Sequence, residues 1–306
     1  MPKKAYLGQL SDIDMRLLRV FRAVVEAGGL SAAELELNIG RSTISRHLKD
    51  LEIRLKTTLC HRGRGGFMLT KEGQTVYDAT LYLLNAIEQF RGTVNDMHQR
   101  VRGNITIALF DKMVTNPNCK IDEAFRVFDD IAPDVTLDVY VETLNVLEKG
   151  VMDGRFQVGI IPTHRASSSL LYYPLFDEEV HLYCGYHHPI YSQADITISD
   201  AQILSEKYAG LGYHSPNMET SNRLKMVRHA TGYDQEAIAA LILSGRYLGY
   251  LPDHYAEPLV KQGRIGRVGE DRFSYNCEFA AIARRAPKPS HIVELFLSCL
   301  EKVHAV

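Results

Sequence analysis

"RSTISRHLKDLEIRL" (residues 41–55) is the stretch whose reading decides the fold. Ile44, Leu48, Leu51 and Leu55 recur at intervals of four, three and four, the apolar stripe of one helix face. The opposite face shows Arg41, Ser42, Thr43, Ser45, Arg46 and Lys49, with no acid before Asp50. Such a helix needs a core behind it. Its basic, hydroxyl-rich front either faces an anionic partner or is a solvated surface, and the flanking sequence separates the two.

Upstream, Leu17, Leu18, Phe21, Val24 and Val25 predict a first helix over 14–27, stopped by Gly28-Gly29. Ser31 then stands as the N-cap of a short helix, "AAELEL" (32–37). "NIG" (38–40) is a tight turn, because Asn and Gly both accept positive φ. Helix, turn and basic-faced helix make a helix-turn-helix. The first turns of residues 41–55 then suit a major groove. Arg41 can donate two hydrogen bonds to guanine; Ser42, Thr43 and Ser45 can bond base edges or phosphates; Arg46 and Lys49 can neutralise phosphates. Ser31 joins this DNA-facing set.

Downstream, "TTLCHRGRGGFMLT" (57–70) places two short strand-like runs around a Gly-rich basic tip, a hairpin wing. Arg62 and Arg64 on that tip can enter a minor groove or grip a backbone. Thr70 caps a long helix over 71–99. Val76, Thr80, Leu83, Ile87, Phe90, Val94 and Met97 form its seam, by threes and fours. A coiled-coil dimer would cover that seam, and packing against its own domain is the alternative. Two-fold pairing would let two reading helices meet two half-sites.

Charge agrees with an anionic partner. The chain of 306 residues carries a net −2, yet residues 1–100 are +4, leaving −6 for the remainder. Residues 41–71 alone hold eight Lys and Arg against Asp50 and Glu52, a footprint suited to a polyanion.

After Gly103 the texture changes. Strands at 104–110, 135–142 and 156–162 alternate with helices at 119–132 and 143–154, which implies a parallel, doubly wound α/β sheet. A second unit follows, with 174–191, 207–213 and "YLGYLP" (247–252) extended and helices near 220–230 and 235–244. A strand at 273–284 and a helix at 290–306 return to the first unit. The expected fold is α/β behind a winged helix-turn-helix (11–70) and a linker helix (71–99). The effector-binding part is 104–306, with lobe I at 104–161 and 268–306 and lobe II at 162–267. Two lobes joined by crossing strands enclose a cleft at strand C-terminal ends, where ligands bind.

The segments "LLRVFRAVVEAGGLSAAELEL" (17–37), "RSTISRHLKDLEIRL", "TLCHR" (58–62) and "LTKEG" (69–73) resemble the N-terminal region of LysR-type transcriptional regulators. The order of parts is similar to that family along the whole chain, and "YLGYLP" looks like its glycine-rich strand ending in Leu-Pro. Four features depart from it: Gly40-Arg41-Ser42 in place of Ser-Gln-Pro, Lys56 in place of Gly, Cys60 in place of Phe, and a longer wing. They bear on the operator sequence more than on the activity.

The resemblance implies a homo-oligomer, dimer or tetramer, on an interrupted inverted repeat of double-stranded DNA. It implies a bent duplex, RNA polymerase as a further partner, and a small-molecule effector between the lobes. By the family pattern that cleft is lined by Asp111 to Thr115, Thr143, Pro162, Thr163, Tyr213, His214, Ser215 and Tyr250. Helix N-termini and hydroxyls suit a carboxylate. Asp111 and Glu142 near the mouth favour an amine or a zwitterion, unless Asp111 faces solvent or caps the next turn.

Other classes find little support. No GxSxG, phosphate-cradling loop or GxGxxG after a strand marks an α/β enzyme. A receptor for small molecules without DNA binding leaves the basic 41–71 segment unexplained. Apolar runs fall far short of the about 20 residues a bilayer needs, and no signal peptide is visible, so a cytoplasmic protein without membrane contact is expected. Five scattered cysteines without CxxC read as reduced thiols. His187-His188 point apart, and neither metal nor cofactor is expected.

Overall fold

The computed structural model describes residues 9–63, 66–96, 101–191 and 198–305. The chain forms two compact units, Met1–Ile87 and Glu88–Val306.

In the first unit, α1 (Asp12–Glu26), α2 (Leu30–Leu37) and α3 (Arg41–Leu55) precede a hairpin, β1 (Cys60–Gly63) and β2 (Gly66–Leu69), and the start of α4 (Lys71–Asp96). The quoted stretch is α3, residue for residue. Its Ile44, Leu48 and Leu51 are buried against Leu17, Phe21 and Val24 of α1 and Leu59 below the wing. Ser31 is not a cap, contrary to expectation. Gly28 and Gly29 both take positive φ and Gly29 itself caps α2, so the helix starts two residues early and Ser31 lies exposed in its first turn. Only Asn38 supplies left-handed backbone in the turn (φ 50°); Gly40 is extended. Lys56 ends α3 in a left-handed conformation (φ 52°), a place that favours glycine.

Thr70 does cap α4: its Oγ1 accepts from Gly73 N at 2.8 Å and donates to Thr58 O at 2.7 Å. The seam of α4 divides. Val76 and Leu83 pack on the first unit's own core, and Thr80 is buried with its hydroxyl on Val76 O. Phe90 is 70% exposed and Val94 37%. The near half is thus consumed within the domain, because a helix leaving the wing must cover that core. Met97 and Arg64 lie outside the described residues. For Arg62 the described part is its backbone in β1.

In the second unit, β3 (Gly103–Leu109), α5 (Ile121–Ile131), β4 (Val135–Val141), α6 (Leu144–Asp153) and β5 (Val158–Pro162) build one lobe. The chain then runs through β6 (Leu170–Gly185), α7 (Asp200–Ser205), β7 (Tyr208–Leu211), α8 (Pro216–Arg223) and β8 (Arg228–Gly232). It continues through α9 (Gln235–Leu243), β9 (Leu248–Pro252), α10 (Asp253–Lys261) and β10 (Ile265–Arg267), and ends in β11 (Ser274–Arg284) and α11 (His291–His304).

The strand order is β4-β3-β5-β11-β6-β9-β7-β8, with β10 on β6. Within each lobe β3 lies parallel to β4 and β5, and β7 to β8 and β9. The expectation of a parallel sheet is corrected at its centre. There β6 and β11 pair antiparallel from Ser274↔His181 to Arg284↔Leu170, and β6 also pairs antiparallel with β9. These two long strands carry the chain across both lobes. α7, α10 and β10 have no counterpart in the sequence reading, and the helix expected near 220–230 ends at Arg223, with β8 taking its far end. β8 is an exposed edge with no apolar run, and α10 carries an internal Pro258.

Candidate nucleic-acid interface and effector cleft

The exposed side of α3 is built from behind. The Glu34 carboxylate on α2 accepts from Arg41 N at 2.5 Å, which caps a helix whose own N-cap, Gly40, has no side chain. The Glu52 carboxylate accepts from Leu59 N at 2.8 Å and fixes the base of the wing to α3. Asp14 closes a capping box with Ser11 and receives both Nε and Nη2 of Arg54. Those donors hold the Asp14 carboxyl well below the usual carboxylate range. Arg54, counted in the basic footprint, is therefore committed to structure.

What remains on the outer face is Arg41, Ser42, Arg46 and Lys49, all exposed, with Thr43 and Ser45 half-buried. Ser31 is exposed on α2. His47 is half-buried; burial, reinforced by Arg16 and Arg46, lowers its pKa, so it adds no cation near neutral pH.

In the second unit, the segment after β3 reaches the other lobe. The Asp111 carboxylate accepts from Gln235 N at 2.7 Å, on the first residue of α9, and Lys112 Nζ meets Glu236 Oε2 at 2.6 Å. Tyr255 donates to the same Glu236 oxygen at 2.9 Å. Asp111 thus neither faces solvent nor caps its own turn. Burial raises its pKa and Asp234 adds to the rise, while the Gln235 amide opposes it. Glu142 does not stand free at the mouth, since Arg155 lies 3.3 Å from it. That removes one of the two acids expected to repel an anion.

Buried hydroxyls and imidazoles gather nearby. Tyr213 is buried, and burial with Asp111 and Asp234 raises its pKa; its hydroxyl makes no hydrogen bond. Gln235 Oε1 is also buried without a hydrogen bond. His214 is half exposed, 3.6 Å from Glu219, and its ring centre lies 5.0 Å from that of His164. The His164 side chain is fully buried beside Glu148, and neither ring nitrogen makes a hydrogen bond. Ser215 caps α8, accepting from Met218 N. Thr143 precedes α6, Pro162 ends β5, and Thr163 bonds Glu278 O through both its amide and its hydroxyl.

Thr115 lies elsewhere, bonded at 2.7 Å to His254 Nδ1, whose Nε2 meets buried Glu178 at 2.9 Å. Tyr250 belongs to an aromatic cluster with Tyr208 and Tyr275. Its aromatic environment follows from its place on β9, the strand that pairs with β6. The sequence reading missed Glu148, His164, Glu178, Gln235 and His254. Each stands beside another polar or charged residue (Lys149, Arg165, Asp177 and Glu179, Asp234 and Glu236, Asp253), so nothing in the linear sequence marks it out from an ordinary solvated position.

The same two units appear in the sequence comparisons. Residues 15–74 match the family described as bacterial regulatory helix-turn-helix protein, lysR family, and residues 98–305 match LysR substrate binding domain. The chain belongs to the LysR family. This regulator is 40% identical over 294 residues to the HTH-type transcriptional activator BauR of Pseudomonas aeruginosa, covering 96% of each chain. It is 24% identical over 289 residues to the HTH-type transcriptional regulator CysL of Bacillus subtilis, covering 93% of this chain and 96% of that one.

Among solved structures, the regulator shares its fold with CbnR, both alone and complexed with target DNA (TM-score 0.65, 19% identity, 95% of this chain covered, at least 99% of the other). A full-length, singly substituted OxyR from Pseudomonas aeruginosa aligns at TM-score 0.59 and 16% identity, covering 96% of this chain and 95% of that one. The regulator is a DNA-binding transcription factor carrying a ligand-binding domain. Among the described residues no helix is long and apolar enough to cross a membrane.

Proposed function

We propose that the regulator reads duplex DNA with Arg41, Ser42, Thr43, Ser45, Arg46 and Lys49, assisted by Ser31 and the wing arginines. We propose further that it activates transcription in response to a small amine or zwitterion held between the lobes. Activation is taken from the 40%-identical relative, which is named an activator. The half-seam at Phe90 and Val94 supports a homodimer, paired again into a tetramer on an inverted repeat with RNA polymerase nearby.

One observation carries the choice of ligand: the Asp111–Gln235 hydrogen bond that joins the lobes beside the unpartnered Tyr213 hydroxyl and Gln235 carbonyl. Asp111 and Asp234 make that region acidic, and two of its buried acceptors stand ready for donors. A ligand ammonium supplies both charge and donors, while its carboxylate can meet the N-terminal turns of α6 and α8 at Thr143 and Ser215. Competition for Asp111 would change how the lobes are tied, which is the differential affinity that a switch requires.

Calorimetry on the full chain tests this with three compounds of one carbon skeleton: an amino acid, its amine and its nitrogen-free acid. Tighter binding of the nitrogen-bearing pair is expected, together with an effector-dependent mobility shift on the DNA upstream of the regulator's own gene. Equal binding of the nitrogen-free acid rejects the amine reading.

A further inference from the structure

On the outer side of the central strands, β6 presents Asp177, Glu179, His181 and Tyr183 at alternate positions of one face. Pairing with β9 sets Leu251 opposite His181 and Pro252 opposite Val180, so Asp253, the first residue of α10, follows at the same level. Ligand atoms of Glu179, His181 and Asp253 all lie within 4.8 Å of one another. His181 Nε2 is 3.5 Å from Glu179 Oε2 and 3.4 Å from Asp253 Oδ2.

The arrangement is poorly explained by hydrogen bonding alone. His181 is 3% exposed, yet neither of its ring nitrogens makes a hydrogen bond. Two carboxylates converge on one nitrogen, which has at most a single proton to share. The opposite oxygen of Asp253 accepts from the Tyr183 hydroxyl, and that bond aims Oδ2 toward His181. An outer-shell donor that orients a carboxylate in this way is a usual support for a metal ligand.

The cluster borders an open groove of 910 Å³, lined also by Thr115, Asn116, Arg267 and Asn276. An ion there could keep waters or a further ligand.

We propose that Glu179, His181 and Asp253 bind one first-row divalent cation of the zinc class. One imidazole and two carboxylates favour that class over Mg²⁺ and Ca²⁺, which prefer oxygen alone. Three protein ligands with an exposed side match an open coordination sphere. Asp253 is adjacent to His254, which bonds both Glu178 and Thr115, so occupancy reaches the segment that follows β3. The site is distinct from the Asp111–Tyr213 region.

The test is calorimetric titration of chelator-treated full-length protein with ZnCl₂, on wild type and on Glu179→Gln, Asp253→Asn and His181→Asn. Glu179 is largely exposed, so its substitution leaves the fold intact even if the buried His181 change does not. One site per chain is expected, weakened at least tenfold in Glu179→Gln and Asp253→Asn. A zinc-dependent rise in melting temperature should appear in wild type and shrink in both variants. Absence of zinc binding in wild type overturns the proposal. So does zinc binding of equal affinity in wild type and the two acid variants, which would place the ion on other side chains.

Discussion

Arg54, in the last turn of α3, gives two guanidinium nitrogens to the Asp14 carboxylate in the first turn of α1. The basic-faced α3 is thereby fastened to the helix behind it, at the end away from Arg41, Arg46 and Lys49. Asp14 is buried while much of Arg54 meets solvent, so the acid bears the larger dependence on the pair.

Asp14→Asn should destabilise the first unit by roughly 1–3 kcal/mol, through loss of a charged hydrogen-bond acceptor at a helix start. The pH dependence has a definite sign. A carboxyl held below its ordinary value stabilises the fold above the unfolded pKa, about 4, and that contribution disappears as pH falls toward the folded value. Urea unfolding at pH 7 and at about pH 3 should show the gap between wild type and variant narrowing in acid. A gap independent of pH would mean that the loss is one of packing.

The basic residues of α3 should separate into three kinds. Arg41→Ala should cost about 1–3 kcal/mol on the specific site and relax one base position. Arg46→Ala should weaken binding to every sequence and lower the salt slope by about 1. Arg54→Ala should lower the melting temperature and leave that slope unchanged, because its charge is spent on Asp14. Fluorescence anisotropy at several salt concentrations, beside thermal unfolding, distinguishes them.

Such a separation is only partly legible in the sequence. Period and charge show α3, the wing and both lobes, because each rests on local spacing. They cannot show that Arg54 is paired with Asp14, since that partner is 40 residues away. Ser31 misleads for a local reason: a Gly-Gly pair can cap a helix directly, and the nearest serine draws the assignment instead. In the second unit, alternating strands give the lobes, but the antiparallel β6–β11 pair depends on long-range register. The polar groups that face one another across the lobes come from α9, α10 and β6, which no linear pattern unites.

Gly73 shows the same limit at one atom. A glycine near the start of a helix reads as a weak helix former, with about 1 kcal/mol to be gained if replaced by Ala. In the fold, a Cβ at Gly73 would sit 1.8 Å from Leu59 O, where the first turn of α4 passes over the base of the wing. The clash is with backbone and outweighs the propensity gain. Gly73→Ala should therefore lower stability by roughly 1–3 kcal/mol, seen as a lower melting temperature; a rise would show that α4 can shift without cost.

Tyr213→Phe should leave the melting temperature unchanged or raise it, because the hydroxyl is buried without a hydrogen bond. Under the proposed cleft function, the same change should weaken the effector by about 1 kcal/mol, several-fold in Kd. Parallel calorimetry and thermal unfolding give both readings. Lost stability with unchanged effector affinity would assign Tyr213 to the core alone.

The divided seam of α4 reverses an obvious design for breaking the oligomer. Leu83 lies in the middle of the apolar repeat and looks like the position to charge. It packs against the first unit's own core, so Leu83→Asp should unfold that unit before it reports on assembly. Phe90 is 70% exposed, and Val94, one turn further, continues the stripe. Under the proposed homodimer, a second copy covers this aromatic side chain along the same stripe. Phe90→Asp should keep the melting temperature near wild type, lower the mass by light scattering, and weaken binding to a two-half-site operator far more than to a single half-site. An unchanged mass would move the contact between copies off this helix.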